Sequence, residues 1–421
     1  MSETTKITTL ENGLRVATEA MANVQTVSVG VWIDVGARYE APEVSGVAHM
    51  LEHMAFKGTE RRSARAIAEA IENVGGQLNA YTSREHTAYY ARVLADDLPL
   101  AVDLLADILQ HSTFDEAELA RERTVILQEI GQVQDTPDDL VFDLFQETAY
   151  PGQSLGRSIL GPAEIVAAMP RTALLDYMTH HYGPEHLVLA AAGKVEHERV
   201  VELAERLFRE LPPPAPHLAE RARYEGGERR EERDLEQAHL LLGLPAFSYA
   251  DDDFYALQVL STMLGGGMSS RLFQEVRENR GLAYSVFSFA SCYNDTGLLG
   301  IYAGTGEKET AELVPVVCDE FLQLIDRPGE EELARARAQL KASLMMALES
   351  CFAQSEELAR QLLIFGRRIP QDEIIAKIDA VDEAAIRRVG SRLLAGGAPT
   401  LTALGPLTQL PDLDSIRRRL Q

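Results

Sequence analysis

The chain has 421 residues, 46% of them hydrophobic, which is more apolar material than one core normally holds, so we expect two domains of about 200 residues each. Its 65 acidic and 40 basic residues give a formal net charge of −25, which disfavours nucleic acid and anionic membrane surfaces as partners. Residues 1–6 lack the apolar core of a signal peptide, and no later apolar run is long enough to span a membrane, so we expect a cytoplasmic protein.

The first predicted helix carries an H-x-x-E-H spacing at residues 49–53. Apolar residues recur at helical spacing from Val44 onward, and Gly58 follows as a stop signal. On a helix His49 and His53 lie one turn apart on the same face, so one cation can bridge both imidazoles. Glu52 lies beside that cation without having to bind it, which is the position of a general base for a metal-bound water.

A strand is predicted after the helical region. Gly75-Gly76 indicates a turn, and residues 79–90 alternate and contain β-branched and aromatic side chains. On these residues alone, an ordinary strand at a sheet edge accounts for the pattern.

Zinc used for hydrolysis usually has three protein ligands and one open position, so a third ligand is needed. A helix predicted to begin near residue 114 places Glu122 and Glu129 on one face. Glu129 is flanked by apolar residues, where an unpaired carboxylate would be costly, so we favour Glu129 as the third ligand and Glu122 as an outer carboxylate that orients a histidine. Glu122 as the ligand, or as a solvated helix glutamate, stays open.

An internal repeat flanks a proline-rich and then charge-dense segment. The sequence E-L-A-R-x-R at residues 118–123 returns at 332–337, and an apolar strand ending at Gly193 returns as one ending at Gly405. The halves therefore look homologous. The predicted parts are a zinc-binding catalytic half at residues 1–210, a linker at 211–234 and a homologous half at 235–421.

The second half lacks the metal ligands. Glu122 is replaced across the repeat by Ala336, Glu129 is replaced by Ser343, and the H-x-x-E-H spacing does not recur. Another task is indicated by Gly265-Gly266-Gly267, because glycines let the backbone pass close to another chain or a ligand. A simple flexible turn at a helix start is the alternative.

The spacing at residues 49–53, followed by Glu129, resembles the inverted zinc motif of the pitrilysin-type metallopeptidases. That group includes insulin-degrading enzyme and the mitochondrial processing peptidase, and the chain is most similar to the processing-peptidase type. The resemblance implies that His49, His53 and Glu129 bind Zn²⁺. It also implies that Arg277 and Tyr284, seven residues apart, reach the zinc site from the second half. Tyr284 would donate a hydrogen bond to the developing oxyanion, and Arg277 would hold the substrate backbone.

Residues 79–90 are also similar to a segment of that family. The resemblance implies that Asn79, Ala80, Tyr81 and Thr82 form an edge strand to which an extended substrate adds as one more strand. It further implies that Phe56 and Tyr81 wall an apolar pocket beside the scissile bond. Without the family, Phe56, Tyr81 and Tyr284 would be core aromatics and Arg277 a helix-end arginine.

We therefore predict an α+β fold with two homologous halves, each an antiparallel sheet packed by helices, that together form a clamshell-like chamber. The predicted function is a Zn²⁺-dependent endopeptidase that cleaves extended peptides or unfolded polypeptide segments, and the acidic composition favours basic peptides. Two-chain members of the family divide the zinc site and the glycine-rich segment between subunits, whereas this chain carries both, which favours a homodimer or a self-sufficient protomer over an obligate heterodimer. The alternative is a non-catalytic scaffold subunit, against which the intact motif argues.

Overall fold

The computed structural model describes residues 4–213, 215 and 219–421. Part of the predicted linker, at residues 214 and 216–218, and the first three residues lie outside the described residues. The strands are β1 (Thr5–Thr9), β2 (Arg15–Ala20), β3 (Thr26–Ile33), β4 (Gln77–Thr82), β5 (Thr87–Leu94), β6 (Leu187–Gly193), β7 (Gly227–Glu232), β8 (Ala238–Ala246), β9 (Ala283–Cys292), β10 (Gly297–Thr305) and β11 (Thr400–Gly405).

The helices alternate with these strands in both halves of the chain. They are α1 (Val47–Met54), α2 (Ala64–Glu72), α3 (Leu98–Gln110), α4 (Glu116–Gln134), α5 (Pro137–Ala149), α6 (Ala163–Ala168), α7 (Arg171–His181), α8 (His197–Leu207), α9 (Phe254–Gly265), α10 (Thr310–Asp326), α11 (Glu330–Ala347), α12 (Cys351–Phe365), α13 (Gln371–Asp379), α14 (Glu383–Ala395) and α15 (Leu413–Leu420). None of the helices in the described part of the chain has both the length and the apolar composition needed to cross a membrane.

The chain folds into two compact units, each with its own sheet. The first unit contains the chain up to Gly131, Arg157–Glu220 and Met345–Pro370, and the second contains Gln132–Gly156, Arg221–Leu344 and Gln371–Gln421. This division differs from the predicted one, because each unit includes a helix from the other half of the sequence. Helix α12 packs on β2, β3 and β6 in the first unit, and α5 packs on β7, β8 and β11 in the second.

The first sheet has the strand order β1-β2-β6-β3-β5-β4. Neighbouring strands are antiparallel except β2 and β6, which run parallel. Side chains alternate between two covered faces: Val31 belongs to the core under α1 and α3, whereas the next residue, Trp32, packs against Leu358 and Leu362 of α12. Because both faces are covered, β6 is an uninterrupted apolar run that is buried along its whole length.

The second sheet repeats this topology. Its order is β7-β11-β8-β10-β9, which is the order of the first sheet without β1, and β7 and β11 form the one parallel pair. The predicted α+β fold with two homologous halves is therefore confirmed. The prediction of antiparallel sheets is wrong for one pair in each sheet, because β6 and β11 return after long crossovers and join β2 and β7 in the parallel direction.

Candidate metal centre

Helix α1 carries the H-x-x-E-H segment and starts later than its apolar spacing predicts, because a 3-10 turn at Pro42–Val44 precedes it. The buried Glu40 carboxylate caps the start of this helix. It accepts hydrogen bonds from the backbone N–H groups of Gly46 at 2.7 Å and Ala48 at 2.9 Å. Gly46 has a φ of 95°, and a Cβ there would lie 2.7 Å from the Leu160 carbonyl oxygen. Side-chain capping and close backbone packing thus fix where the motif begins.

The three residues predicted as metal ligands lie together. The Nε2 atoms of His49 and His53 are 3.8 Å and 3.6 Å from Oε2 of Glu129, and one ligand atom from each residue lies within 4.8 Å of the others. Tetrahedral zinc with bonds of about 2.1 Å separates its ligand atoms by about 3.4 Å, so the set fits a zinc ion with little rearrangement. This is the one such group of three found among the described residues.

The ligand residues differ in their surroundings. Burial, followed by the neighbouring His53, lowers the pKa of His49 to about 4, so at neutral pH His49 offers a lone pair to a metal. Glu129 is 39% exposed, so the prediction that it lies in apolar surroundings is wrong. The buried residues of α4 are Leu119, Glu122 and Ile126, and Glu129 lies one turn beyond them. Its distances to the histidines, and not its burial, are what favour Glu129 as the third ligand.

Glu122 faces the opposite side of His53. Its Oε2 accepts a hydrogen bond from Nδ1 of His53 at 2.9 Å, and its Oε1 lies 2.6 Å from the Lys57 ammonium. Burial alone would raise the pKa of Glu122, but the hydrogen bonds from Lys57 and His53 hold it below its ordinary value. Because Glu122 binds Nδ1 and not the Nε2 side shared with His49, the geometry suits the predicted orienting role better than a ligand role.

Glu52 lies on α1 between the two histidines and is half-buried. Burial raises its pKa, and the Glu129 carboxylate adds to this effect, while hydrogen bonds from Thr82 and the charge of His53 oppose it. A carboxylate with a raised pKa is a better proton acceptor at neutral pH. The position and electrostatics of Glu52 are therefore suited to a general base.

The predicted edge strand is present as β4. It ends the first sheet: β4 pairs with β5 on one side, and no strand of the described residues pairs with its other side. On that strand the N–H of Ala80 donates to Oδ1 of Asn79 at 2.8 Å, and Thr82 hydrogen-bonds Glu52. The strand therefore reaches the candidate general base, and its role in binding substrate stays a prediction.

One predicted pocket does not exist as described. Phe56 packs on the core beneath α1 and α3, with its ring 6.4 Å from that of Tyr89. Tyr81 pairs with Ala88 and faces α12, where its hydroxyl contacts Trp32 and Glu356. The prediction that Phe56 and Tyr81 wall one pocket is wrong, because Phe56 packs on the face of the sheet covered by α1 and α3 whereas Tyr81 packs on the face covered by α12.

Arg277 and Tyr284 lie together in the second unit. Arg277 is on a π-helical segment, Phe273–Asn279, and Tyr284 is on the edge strand β9. The guanidinium carbon of Arg277 is 4.7 Å from the ring centre of Phe273 and 5.0 Å from that of Tyr284. Tyr284 is 75% exposed, so it is not the core tyrosine that composition alone would favour. The roles of both residues at the zinc site stay predictions.

The glycine run begins at the end of helix α9. Gly265 is the last residue of α9, and a Cβ on it would lie 2.4 Å from the backbone nitrogen of Ser288 in β9. A Cβ on Gly266 would lie 2.6 Å from Cα of Thr262. Close packing within the unit explains Gly265 and Gly266, whereas a Cβ on Gly267 would meet only the side-chain end of Gln339. The predicted role of Gly265, Gly266 and Gly267 in substrate binding stays a prediction.

Two residues of the site carry no motif and were missed in the sequence. Glu40 caps α1 from a preceding segment, which no local spacing indicates. Lys57 follows the end of α1 and still reaches Glu122. Lys57 could have been found in the sequence because it lies four residues after His53, and residues at this spacing on a helical path share a face.

Comparison with known proteins assigns the family. Residues 15–163 match the family described as insulinase (peptidase family M16), and residues 168–340 match the M16 inactive domain. A probable mitochondrial-processing peptidase subunit beta of Arabidopsis thaliana is 44% identical over 99% of this chain and 81% of its own length. The chain belongs to the M16 insulinase family of peptidases. An uncharacterized zinc protease of Streptomyces coelicolor is 41% identical to this M16 chain, over 96% of this chain and 90% of that protein.

The fold agrees with the assignment. The crystal structure of a protease from Helicobacter pylori matches this M16 chain with a TM-score of 0.88 at 24% identity, covering 96% of this chain and 99% of that one. The match of residues 168–340 to an inactive domain also agrees with the repeat, in which Ala336 replaces Glu122 of the first half.

Proposed function

We propose that this M16 peptidase is a zinc-dependent endopeptidase that cleaves extended peptides or unfolded polypeptide segments. The observation that carries the proposal is the grouping of ligand atoms from His49, His53 and Glu129 within 4.8 Å, with Glu52 on the same helix as both histidines. The name of the Streptomyces coelicolor relative, a zinc protease, supports it. A non-catalytic scaffold subunit would need neither a complete ligand set nor a base of raised pKa.

The mechanism follows from the positions of the side chains. His49, His53 and Glu129 would hold Zn²⁺ and leave a fourth position open. When bound, Zn²⁺ supplies a Lewis acid that polarises the scissile carbonyl and makes water more acidic. Glu52 takes the proton from the attacking water and passes it to the leaving amine nitrogen, a transfer that its raised pKa favours. Glu122 fixes the His53 ring by accepting its Nδ1–H.

The substrate would bind as an extended strand on the open side of β4, which ends at Thr82 beside Glu52. We propose that Tyr284 donates a hydrogen bond to the developing oxyanion and that Arg277 holds the substrate backbone. The stacking of Arg277 between Phe273 and Tyr284 supports this role, because it orients the guanidinium before any substrate binds. The net charge of −25 favours basic peptides.

We also infer that the chain works with a different partner subunit and not as the predicted homodimer. The Arabidopsis thaliana relative is named as a subunit, which favours a heteromeric assembly over a homodimer. The mass of the purified chain in solution tests this inference, because a stable homodimer of twice 46.4 kDa would contradict it. The cytoplasmic location stays a prediction.

The test of the proposed function is Glu52→Gln. Glutamine keeps the size of the side chain but cannot accept the proton, so we expect stoichiometric zinc with cleavage slower by about 10²- to 10⁴-fold. Glu43→Gln is the matched control, because Glu43 is an exposed glutamate just before α1, and its variant should cleave at the wild-type rate. Wild-type turnover by Glu52→Gln, with folding checked by circular dichroism, would refute the role of Glu52.

A further inference from the structure

Lys57 lies just after the end of α1, and its side chain reaches the buried carboxylate of Glu122. Its ammonium is 2.6 Å from Oε1 of Glu122, and the Lys57 side chain is 31% exposed while that of Glu122 is 6% exposed. The second oxygen of Glu122 accepts the Nδ1–H of His53 at 2.9 Å. One buried carboxylate is thus shared between a cation and a residue of the metal site.

This sharing fixes which way Glu122 can turn. Burying a carboxylate that accepts only one hydrogen bond lowers the stability of the fold, and its second oxygen remains able to bind another group, including a metal ion. The Lys57 ammonium occupies that oxygen and compensates its charge. With Oε1 held by Lys57, Glu122 presents only Oε2 to His53, and the His53 ring is kept with Nε2 directed toward Glu129 and His49.

The other histidine has no equivalent support. Within the described residues, Nδ1 of His49 is buried and has no hydrogen-bond partner. Of the two histidines, therefore, only His53 has its ring held, within the described part of the chain, by a hydrogen bond on the side away from the metal position. The acceptor of that bond is Glu122, and Glu122 is in turn held by Lys57. Partners of this kind typically change metal affinity by about 10- to 100-fold when they are removed.

We propose that Lys57 is a positioning residue of the zinc site: by fixing Glu122 against His53, it sets how tightly Zn²⁺ is retained. The proposal rests on the zinc site proposed above. Lys57 touches neither the metal position nor the reacting atoms, so its effect should appear first in metal affinity and not in the chemical step.

The experiment measures the zinc dissociation constant of the full-length protein by competition with a chromogenic chelator. Lys57→Met removes the ammonium group and keeps an unbranched apolar side chain of nearly the same length, and we expect zinc to bind about 10- to 100-fold more weakly. Lys57→Arg keeps the charge and should bind zinc within a few-fold of wild type. Lys6→Met is the control, because Lys6 forms a surface ion pair with Glu198 at 2.7 Å on the N-terminal strand, and its loss should leave zinc affinity unchanged.

A double-mutant cycle separates positioning from a general electrostatic effect. If Lys57 acts through Glu122, then Lys57→Met should have little further effect in a Glu122→Gln background. Wild-type zinc affinity in Lys57→Met, or an equal loss with and without Glu122, would overturn the proposal. A visible spectrum of the Co²⁺-loaded protein that is changed by Lys57→Met and restored by Lys57→Arg would support it independently.

The outcomes also separate this proposal from the proposed function. A wild-type protein that binds zinc but cleaves no peptide, both alone and together with its partner subunit, would refute the proposed function and leave the role of Lys57 intact. A wild-type protein that binds no zinc would refute both. Melting temperatures of the metal-free variants should match that of the wild type, and a lowered value for Lys57→Met with unchanged zinc affinity would show that Lys57 serves only the fold.

Discussion

Tyr81→Phe distinguishes a structural role of this tyrosine from the substrate-pocket role that the family resemblance implied. In the structure the Nε1–H of buried Trp32 donates to the Tyr81 hydroxyl at 3.2 Å, and that hydroxyl donates to Oε1 of Glu356 at 2.6 Å. Removing it leaves the indole N–H without an acceptor, which costs about 1–3 kcal/mol for a buried donor. The 3.2 Å bond is long and Glu356 can bind water instead, so we expect a loss of about 1–2 kcal/mol.

The assay uses a natural probe. Trp32 is the single tryptophan of the chain, so its fluorescence during urea unfolding follows the first unit. We expect Tyr81→Phe to lower the unfolding midpoint and to leave kcat/KM for a peptide within about twofold, because the hydroxyl faces α12 and not the zinc side of the sheet. Tyr90→Phe is the matched control: Tyr90 packs in the same cluster, and no hydrogen bond of its hydroxyl is found within the described residues.

Two measurements together, kcat/KM and the unfolding midpoint, can refute the structural role of Tyr81. If Tyr81→Phe lowers kcat/KM by tenfold or more while the unfolding midpoint stays at the wild-type value, then Tyr81 contacts the substrate. The hydrogen bonds of its hydroxyl with Trp32 and Glu356 would then contribute nothing to the free energy of unfolding. A change in both quantities that Tyr90→Phe reproduces would show that the whole cluster, and not the hydroxyl, is responsible.

Three further predictions follow from the structure. His197 hydrogen-bonds to the hydroxyls of Thr8 and Thr18, and burial lowers its pKa. Its contribution to the free energy of unfolding is therefore full above pH 6.5, the ordinary pKa of an unfolded histidine, and is lost as the pH falls. The difference in the free energy of unfolding between wild type and His197→Gln should accordingly shrink from pH 7.5 to pH 5 in urea titrations. Gly131→Ala should raise the free energy of unfolding by about 0.5–1 kcal/mol, since Gly131 is inside α4 and a Cβ there meets nothing within 4 Å; an unchanged urea midpoint would contradict this. Glu129→Gln should lower zinc content measured by atomic absorption, and stoichiometric zinc would point to another ligand.

The local parts of the site could be predicted from the sequence. Residues 49–53 fix two imidazoles and a carboxylate on one short helix, because the helical period alone sets their spacing. The helix from residue 116 likewise brings Glu122 and Glu129 to one face. Whether each glutamate is buried depends on packing that no short pattern contains, and for this reason the burial argument for Glu129 was wrong although its distances suit a ligand.

The nonlocal parts could not be predicted in the same way. The apolar and β-branched composition of residues 79–82 indicated a strand, but the face to which Tyr81 points depends on its register with β5. The repeat correctly indicated two homologous halves, yet similarity along the chain does not state on which sheet a helix packs. Helices α5 and α12 are amphipathic, and either sheet offers an apolar face to them.

Because each unit contains a helix from the other half of the sequence, the chain is difficult to divide into two working fragments. A protein cut within residues 211–234 would separate α12 from the first sheet, and Trp32, Ala88, Val188 and Ala190 would lose the apolar cover that Leu358, Ala359 and Leu362 provide. The second sheet would lose α5 in the same way, with Leu140 and Phe145 left on the wrong fragment. The proline-rich and charge-dense segment, where the sequence suggested a domain boundary, is therefore a poor place to cut the protein.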